Sequence, residues 1–183
     1  MKPQVHSNSA QGMRGYSCIG LHNPKTPANI GSAMRAVGVY GSRFLAISGR
    51  RFSRHGTDTM KHYRHVPVFQ VDDLKTIIPY DAVPVAVDLI DGALSLPDYK
   101  HPERAFYVFG AEDATLGKSV LSWCRDVVYI PTSGCMNLAA TVNVVLYDRL
   151  SKAVNPCGVG MARNTNCHLN LWLDKMENVQ CEK

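Results

Sequence analysis

The stretch YSCIGLHNPKTPANIGSAMRAVGVYGSRFLAIS, residues 16–48, decides the fold class. It begins with an apolar run, YSCIGLH (16–22), that reads as a buried strand. NPKTPAN (23–29) carries two prolines and marks a turn. Residues 31–41 then place Met34, Val37 and Tyr40 on one stripe among small residues, the pattern of an amphipathic helix. FLAIS (44–48) is a second buried strand.

Outward from there the alternation continues. VPVFQV (66–71) reads as a strand, and DDLKTIIP (72–79) as a short helix opened by two acids and closed at Pro79. VPVAVDL (83–89) and RAFYVFG (104–110) are further strands. GKSVLSWC (117–124) reads as helix, VVYIP (127–131) as strand, and NLAATVNVVLYDRL (137–150) as a helix with an apolar stripe. Strands alternating with helices predict one α/β domain, its mainly parallel sheet flanked by helices on both faces. Residues 1–15 read as a flexible arm, 16–150 as the domain, and 151–183 as an extension packed on the domain or on a dimer partner. Within that extension LNLWLDKM (169–176) reads as a short helix or strand. No internal repeat and no linker between domains is visible.

Composition narrows the class. The chain has 183 residues, 45% of them hydrophobic, enough for a real core, and 19% charged, too few for a disordered body. A formal charge of +5 is compatible with a polyanionic partner. The six cysteines form no CxxC pair, and the polar N-terminus lacks the apolar centre of a signal peptide, so reduced thiols in the cytoplasm are expected. Cys157, Cys167, His168 and Cys181 fit no common zinc spacing, and no metal is expected. No apolar run approaches the ~20 residues of a membrane span.

Parallel α/β sheets bind ligands beyond the carboxyl ends of their strands. Three segments fall there: 23–35, VFGAED (108–113) and IPTSGCMNL (130–138). Each mixes glycine, which permits close backbone approach, with a polar side chain. The common nucleotide fingerprints are missing, with no GxGxxG after a strand and no GxxxxGK[ST]. Taken singly, Glu112 would be a helix-start acid, Asn137 a helix cap and Arg35 a surface charge.

Together, in this order, they carry a resemblance. The chain resembles the SPOUT superfamily of RNA methyltransferases, in its SpoU/TrmH branch of ribose 2′-O-methyltransferases. NIGSAMR matches the first motif, N-x-G-x-x-x-R, with Asn29, Gly31 and Arg35. VFGAEDATLG matches the second with Gly110 and Glu112, its Gly117 one residue late. IPTSGCMNLAATVNVVLYD matches the third with Ile130, Pro131 and Asn137. Cys135 stands where the family usually has Ser, and the segment from Pro131 to Asn137 is shorter than in most relatives.

The resemblance covers about residues 16–150 and implies several things that periodicity does not show. The fold would carry a C-terminal deep trefoil knot, with S-adenosylmethionine in its crevice. The protein would be a homodimer with its active site near the two-fold interface. Arg35, Asn29, Glu112 and Asn137 would be catalytic. Val108, Phe109, Gly110, Ile130, Pro131, Asn137 and Leu138 would hold the cofactor. The substrate would be RNA, with tRNA favoured over rRNA.

The RNA surface is sought in residues 49–66, which hold five Arg or Lys, three His and one acid, with Phe52 and Tyr63 interleaved. A solvated loop is one reading. The other is a phosphate-tracking lip built on Arg50, Arg51, Arg54, Lys61 and Arg64, with an aromatic that stacks a splayed base. Rival readings are an rRNA enzyme, a non-catalytic RNA-binding protein that keeps the fold, a reductase, and a base methylase. The reductase lacks its glycine fingerprint, and the N-x-G-x-x-x-R motif points away from base nitrogen.

Overall fold

The computed structural model describes residues 15–49 and 61–154. The arm, Arg50, Arg51, Arg54, Phe52, the Cys/His set from Cys157 onward and LNLWLDKM lie outside the described residues. In chain order the elements are β1 (Tyr16–His22), α1 (Pro27–Val39), β2 (Leu45–Ser48), β3 (Val68–Val71), β4 (Val83–Val87), β5 (Leu94–Ser95), β6 (Arg104–Phe109), α2 (Lys118–Leu121), β7 (Asp126–Tyr129) and α3 (Leu138–Val154). The strands form one seven-stranded sheet in the order β3-β2-β1-β6-β4-β7-β5. Every pairing is parallel.

Strand alternation sends two sets of side chains to opposite faces. Ile19 and Leu21 of β1, Tyr107 and Phe109 of β6, and Val85 and Val87 of β4 pack under α1 and α3. Cys18, Phe106, Val108 and Ala86 point the other way, beneath α2 and a 3₁₀ turn at Leu74–Ile77. Leu138, Val142, Val145 and Leu146 make the buried stripe of α3. Each such side chain is worth roughly 1.5–3 kcal/mol relative to exposure. The spacing is that of a helix lying on a sheet. Gly38 lets the turn at His62–Arg64 dock on α1, since a Cβ there would overlap the His62 ring.

Several elements differ from the sequence reading. Residues 72–79 hold only the 3₁₀ turn, capped by Asp73 Oδ1 on Lys75 N at 2.9 Å. Pro79 denies Ile78 a helical conformation and stops it. The helix expected over 117–124 is one turn, because Arg125 N already pairs with Pro84 O on entry to β7. β5 was not anticipated; it is two residues on the sheet edge. The last helix runs past residue 150 to Val154, so the expected boundary falls inside it.

What carries α3 that far is a polar network at the amino ends of the strands. Arg149 is buried, yet its guanidinium donates to Pro102 O and Glu103 O at 2.6 Å, and to Tyr16 O and the Tyr107 hydroxyl at 3.2 Å. His101 joins the Tyr107 hydroxyl (2.6 Å) to Asp148 (2.8 Å). Lys152 pairs with Asp148 at 2.6 Å and donates to Leu96 O and Tyr99 O. Burial pushes the Tyr107 phenol up to about 12 and pulls the His101 imidazole down, Asp148 opposing the latter. No described helix is long and apolar enough to cross a membrane.

Candidate active site

From β1 the chain turns through α1 to β2 on one side; from β6 it passes through α2 to β7 on the other. Loops that leave adjacent strands in opposite directions open a crevice at their carboxyl ends. Into that opening come the first turn of α1, the loop after β6 and the loop after β7.

Glu112 is the hub. Its carboxylate accepts from Lys25 N at 2.8 Å, Thr26 N at 3.2 Å and Asn29 Nδ2 at 2.6 Å. Thr26 is the N-cap residue of α1 but makes no side-chain cap of its own. Glu112 therefore supplies from a distant loop the acceptor and the negative charge that a helix start favours. Partial burial would raise its carboxyl, but the Asn29 amide and the backbone N–H groups outweigh it and hold the group below the usual range.

Asn137 closes the network. Its Nδ2 donates to Asn29 Oδ1 at 2.7 Å, while its Oδ1 accepts from Ala139 N (2.8 Å) and Ala140 N (3.3 Å). One side chain thus caps α3 and orients Asn29. Lys25 Nζ adds an exposed ion pair to Asp113 at 3.1 Å.

Beside this network lies a crevice of about 450 Å³. That size suits a cofactor-sized ligand, for which pockets run roughly 300–1,000 Å³. Phe109, Ile130 and Leu138 form apolar wall, while Gly110 and Gly134 bring backbone to the surface. Gly110 is tight, because a Cβ would sit 3.2 Å from Ala114 O and the loop would have to give slightly. Cys135, exposed, lies on the lip together with Met136.

Of the cofactor residues named from the sequence, Phe109, Gly110, Ile130 and Leu138 line the crevice. Val108 does not: it is fully buried on the opposite face of the sheet. Pro131 is exposed outside the lining, and Asn137 stands in the adjoining network. Asn29, Glu112 and Asn137 meet; Arg35 does not join them. It is exposed, with no hydrogen bond or ion pair among the described residues, because six positions along a helix turn it well away from Asn29. Lys61 and Arg64 are exposed beside the His62–Arg64 turn that docks on α1, and the Arg64 guanidinium lies 5.9 Å from the Tyr63 ring centroid.

The sequence reading missed the wall from β4. Val87, Asp88 and Leu89 line the crevice from that strand's end. The signal was present, an acid directly after VPVAV, and the carboxyl-end rule applies to that strand as to the others. Among the described residues no three His, Cys, Asp or Glu gather as metal ligands.

Comparison with known proteins agrees with this geometry. No curated protein matches the sequence significantly. The chain is similar in fold to the SpoU methyltransferase AviRb from Streptomyces viridochromogenes, with TM-score 0.70 and 19% identity over 77% of this chain. It spans 61% of AviRb, which is also solved in complex with AdoMet. It is similar to the TrmH/SpoU tRNA modifying enzyme of A. aeolicus, with TM-score 0.69 and 15% identity, covering 76% of each chain. A structure described as giving insights into the 2-OH methylation of C/U34 on tRNA matches with TM-score 0.65 and 23% identity, over 76% of this chain and 92% of that one. The profile of the SpoU rRNA Methylase family matches residues 17–147, and with the three motifs gathered at one end of the sheet, the chain belongs to that family.

Proposed function

We propose that the protein is an S-adenosylmethionine (AdoMet)-dependent RNA 2′-O-ribose methyltransferase acting on tRNA as a cytoplasmic homodimer. The observation that carries the reading is the Glu112–Asn29–Asn137 network at the mouth of a cofactor-sized crevice. The crevice suits AdoMet: apolar wall from Phe109, Ile130 and Leu138 for the adenine, backbone at Gly110 for hydrogen bonds, carboxylates toward a cationic sulfur. AviRb, of the same fold, is described with AdoMet. The match to nearly the whole chain of the C/U34 enzyme supports tRNA; the family's description keeps rRNA as the alternative.

Bound AdoMet supplies an activated methyl group, so the protein's task is to align a ribose 2′-hydroxyl and let its proton depart. Glu112 and Asn137 lock Asn29, which leaves the Asn29 and Asn137 amides rigid beside the crevice. Arg35 holds the target phosphate and stabilises the developing alkoxide, while phosphate or water takes the proton. A guanidinium does not deprotonate in proteins and is no general base. Because Arg35 points to solvent away from the crevice of its own chain, the reading assigns it to the crevice of the dimer partner. Exposed Val39 on α1 and Tyr147 and Leu150 on α3 give that contact an apolar surface. The basic segment 49–66 tracks the RNA backbone, and the fold carries a C-terminal deep trefoil knot.

The test is mass spectrometry of nucleosides from tRNA and rRNA treated with protein and methyl-labelled AdoMet. A labelled 2′-O-methyl nucleoside from tRNA, unaffected by chelator, is expected. Label in rRNA alone would replace the substrate, and a labelled base would replace the chemistry.

A further inference from the structure

The crevice has a one-sided charge lining. Asp88, Glu112 and Asp113 face it, and among the described residues no Lys, Arg or His does. Two of these carboxylates are engaged: Glu112 by the Asn29 amide and the α1 backbone, Asp113 by Lys25. Asp88 differs. It stands half-buried at the end of β4, where it accepts from Leu89 N at 2.8 Å and from Leu116 N. Those two N–H groups fix its carboxylate in the wall, and no described cation forms an ion pair with it.

We propose that Asp88 is a specificity residue that makes the crevice prefer the sulfonium form of its cofactor over the demethylated thioether, so that spent product leaves readily. This rests on the reading of the crevice as the AdoMet site. AdoMet and its product S-adenosylhomocysteine share adenosine, ammonium and carboxylate, and differ in one methyl and the positive charge on sulfur. Apolar wall and backbone contacts bind both alike. A fixed negative charge in a partly desolvated wall separates them, and one such charge is worth roughly three- to tenfold in affinity. Asp88 fits because two backbone N–H groups hold it, it forms no ion pair among the described residues, and it lines the crevice at the carboxyl end of β4.

The preference has a counterpart in the chemistry. A charge that stabilises the sulfonium before transfer stabilises the transition state less, because the positive charge is being lost. Asp88 therefore favours exchange of product for fresh cofactor without accelerating the methyl-transfer step. It is not a catalytic residue.

Calorimetric titration of full-length protein and its Asp88→Asn variant with AdoMet, S-adenosylhomocysteine and the amine analogue sinefungin tests this. Asparagine keeps an acceptor for one of the two N–H groups and removes the charge. AdoMet and sinefungin should weaken roughly three- to tenfold while S-adenosylhomocysteine stays within about twofold. In the wild type, the preference for AdoMet should shrink as salt rises; this needs no variant and holds as a test even if Asp88→Asn fails to fold. Equal weakening of all three ligands would show that Asp88 only props the loop at Leu116, and would overturn the proposal. A salt-independent preference, or no change in any ligand, would overturn it too. If the wild type binds none of the three, the cofactor reading of the crevice falls and takes this inference with it.

Discussion

The two ends of the sheet each carry a polar network, and they are built on opposite plans. At the amino ends, Arg149 and Tyr107 are buried and His101 and Asp148 partly so, and among the described residues their hydrogen bonds join one part of the fold to another. At the carboxyl ends, Glu112 and Asn137 are exposed and Asn29 stands beside an open crevice. The same helix reaches both, with Asn137 at its start and Arg149 near its end. Charge that is enclosed and fully partnered fixes structure; charge that is partnered on one side and open on the other is arranged for a ligand.

That contrast breaks first at Arg35. Arg35→Ala should lower methyl transfer roughly a hundred- to a thousand-fold, about 2.7–4 kcal/mol, with thermal stability unchanged since no described residue leans on it. Mixing it with Asn29→Ala should restore part of the activity in heterodimers, if Arg35 serves the partner's crevice. Failure to recover would return Arg35 to its own subunit.

Arg149→Met is the mirror experiment. It removes the donor to the backbone carbonyls of Tyr16, Pro102 and Glu103, of which Glu103 O keeps Tyr16 N, and should cost about 2–3 kcal/mol in urea denaturation. AdoMet affinity below the transition should not change. A stability loss under about 1 kcal/mol would mean that the amino-end network is ornamental.

Glu112→Gln sits between the two. It removes the charge at the start of α1 and turns one acceptor into a donor facing Lys25 N or Thr26 N. About 1 kcal/mol of stability should go, together with most of the activity, because Asn29 loses its orientation. Intact activity would separate the cap from the chemistry.

The smallest effect sharpens the contrast by pH. Burial holds His101 below its ordinary value of 6.5, and His22 likewise. Below about pH 6.5 the unfolded chain takes up protons that the folded chain refuses, so this stability is present at neutrality and lost on acidification. The melting temperature should fall about 2–4 °C from pH 7 to pH 5.5, and less in His101→Gln. Glu112 works lower: its carboxyl is depressed, so its contribution survives at pH 5.5 and fails only below the usual carboxylate range.

How much of this could be read from the chain follows from the range of the contacts. β1, α1 and β2 are local, and apolar spacing reveals them within a residue or two at most ends. β5 has only two residues, too few for any period to register. Asn137 reads as a cap or as a site residue, and the structure gives its one side chain both the cap of α3 and the contact to Asn29. Arg149 has no sequence signature at all, since its partners are backbone carbonyls that any residue could offer. Arg35 is marked by its motif, but where its side chain points depends on helix phase and on what faces the helix. Asp88 shows that a rule applied to three strand ends needed applying to the fourth.

Glu112 holds the start of α1 across a separation of 83 residues to Asn29, and Asn137 reaches back across 108. Contacts of such range form late, since long loops must close before they repay the ordering. During synthesis from the amino end, α1 and the loop after β6 can exist while their network is still open. Only when the segment through α3 has left the ribosome does Asn137 arrive to lock Asn29. A nascent or truncated chain would therefore carry most of the sheet and none of the assembled site until the segment through α3 had emerged.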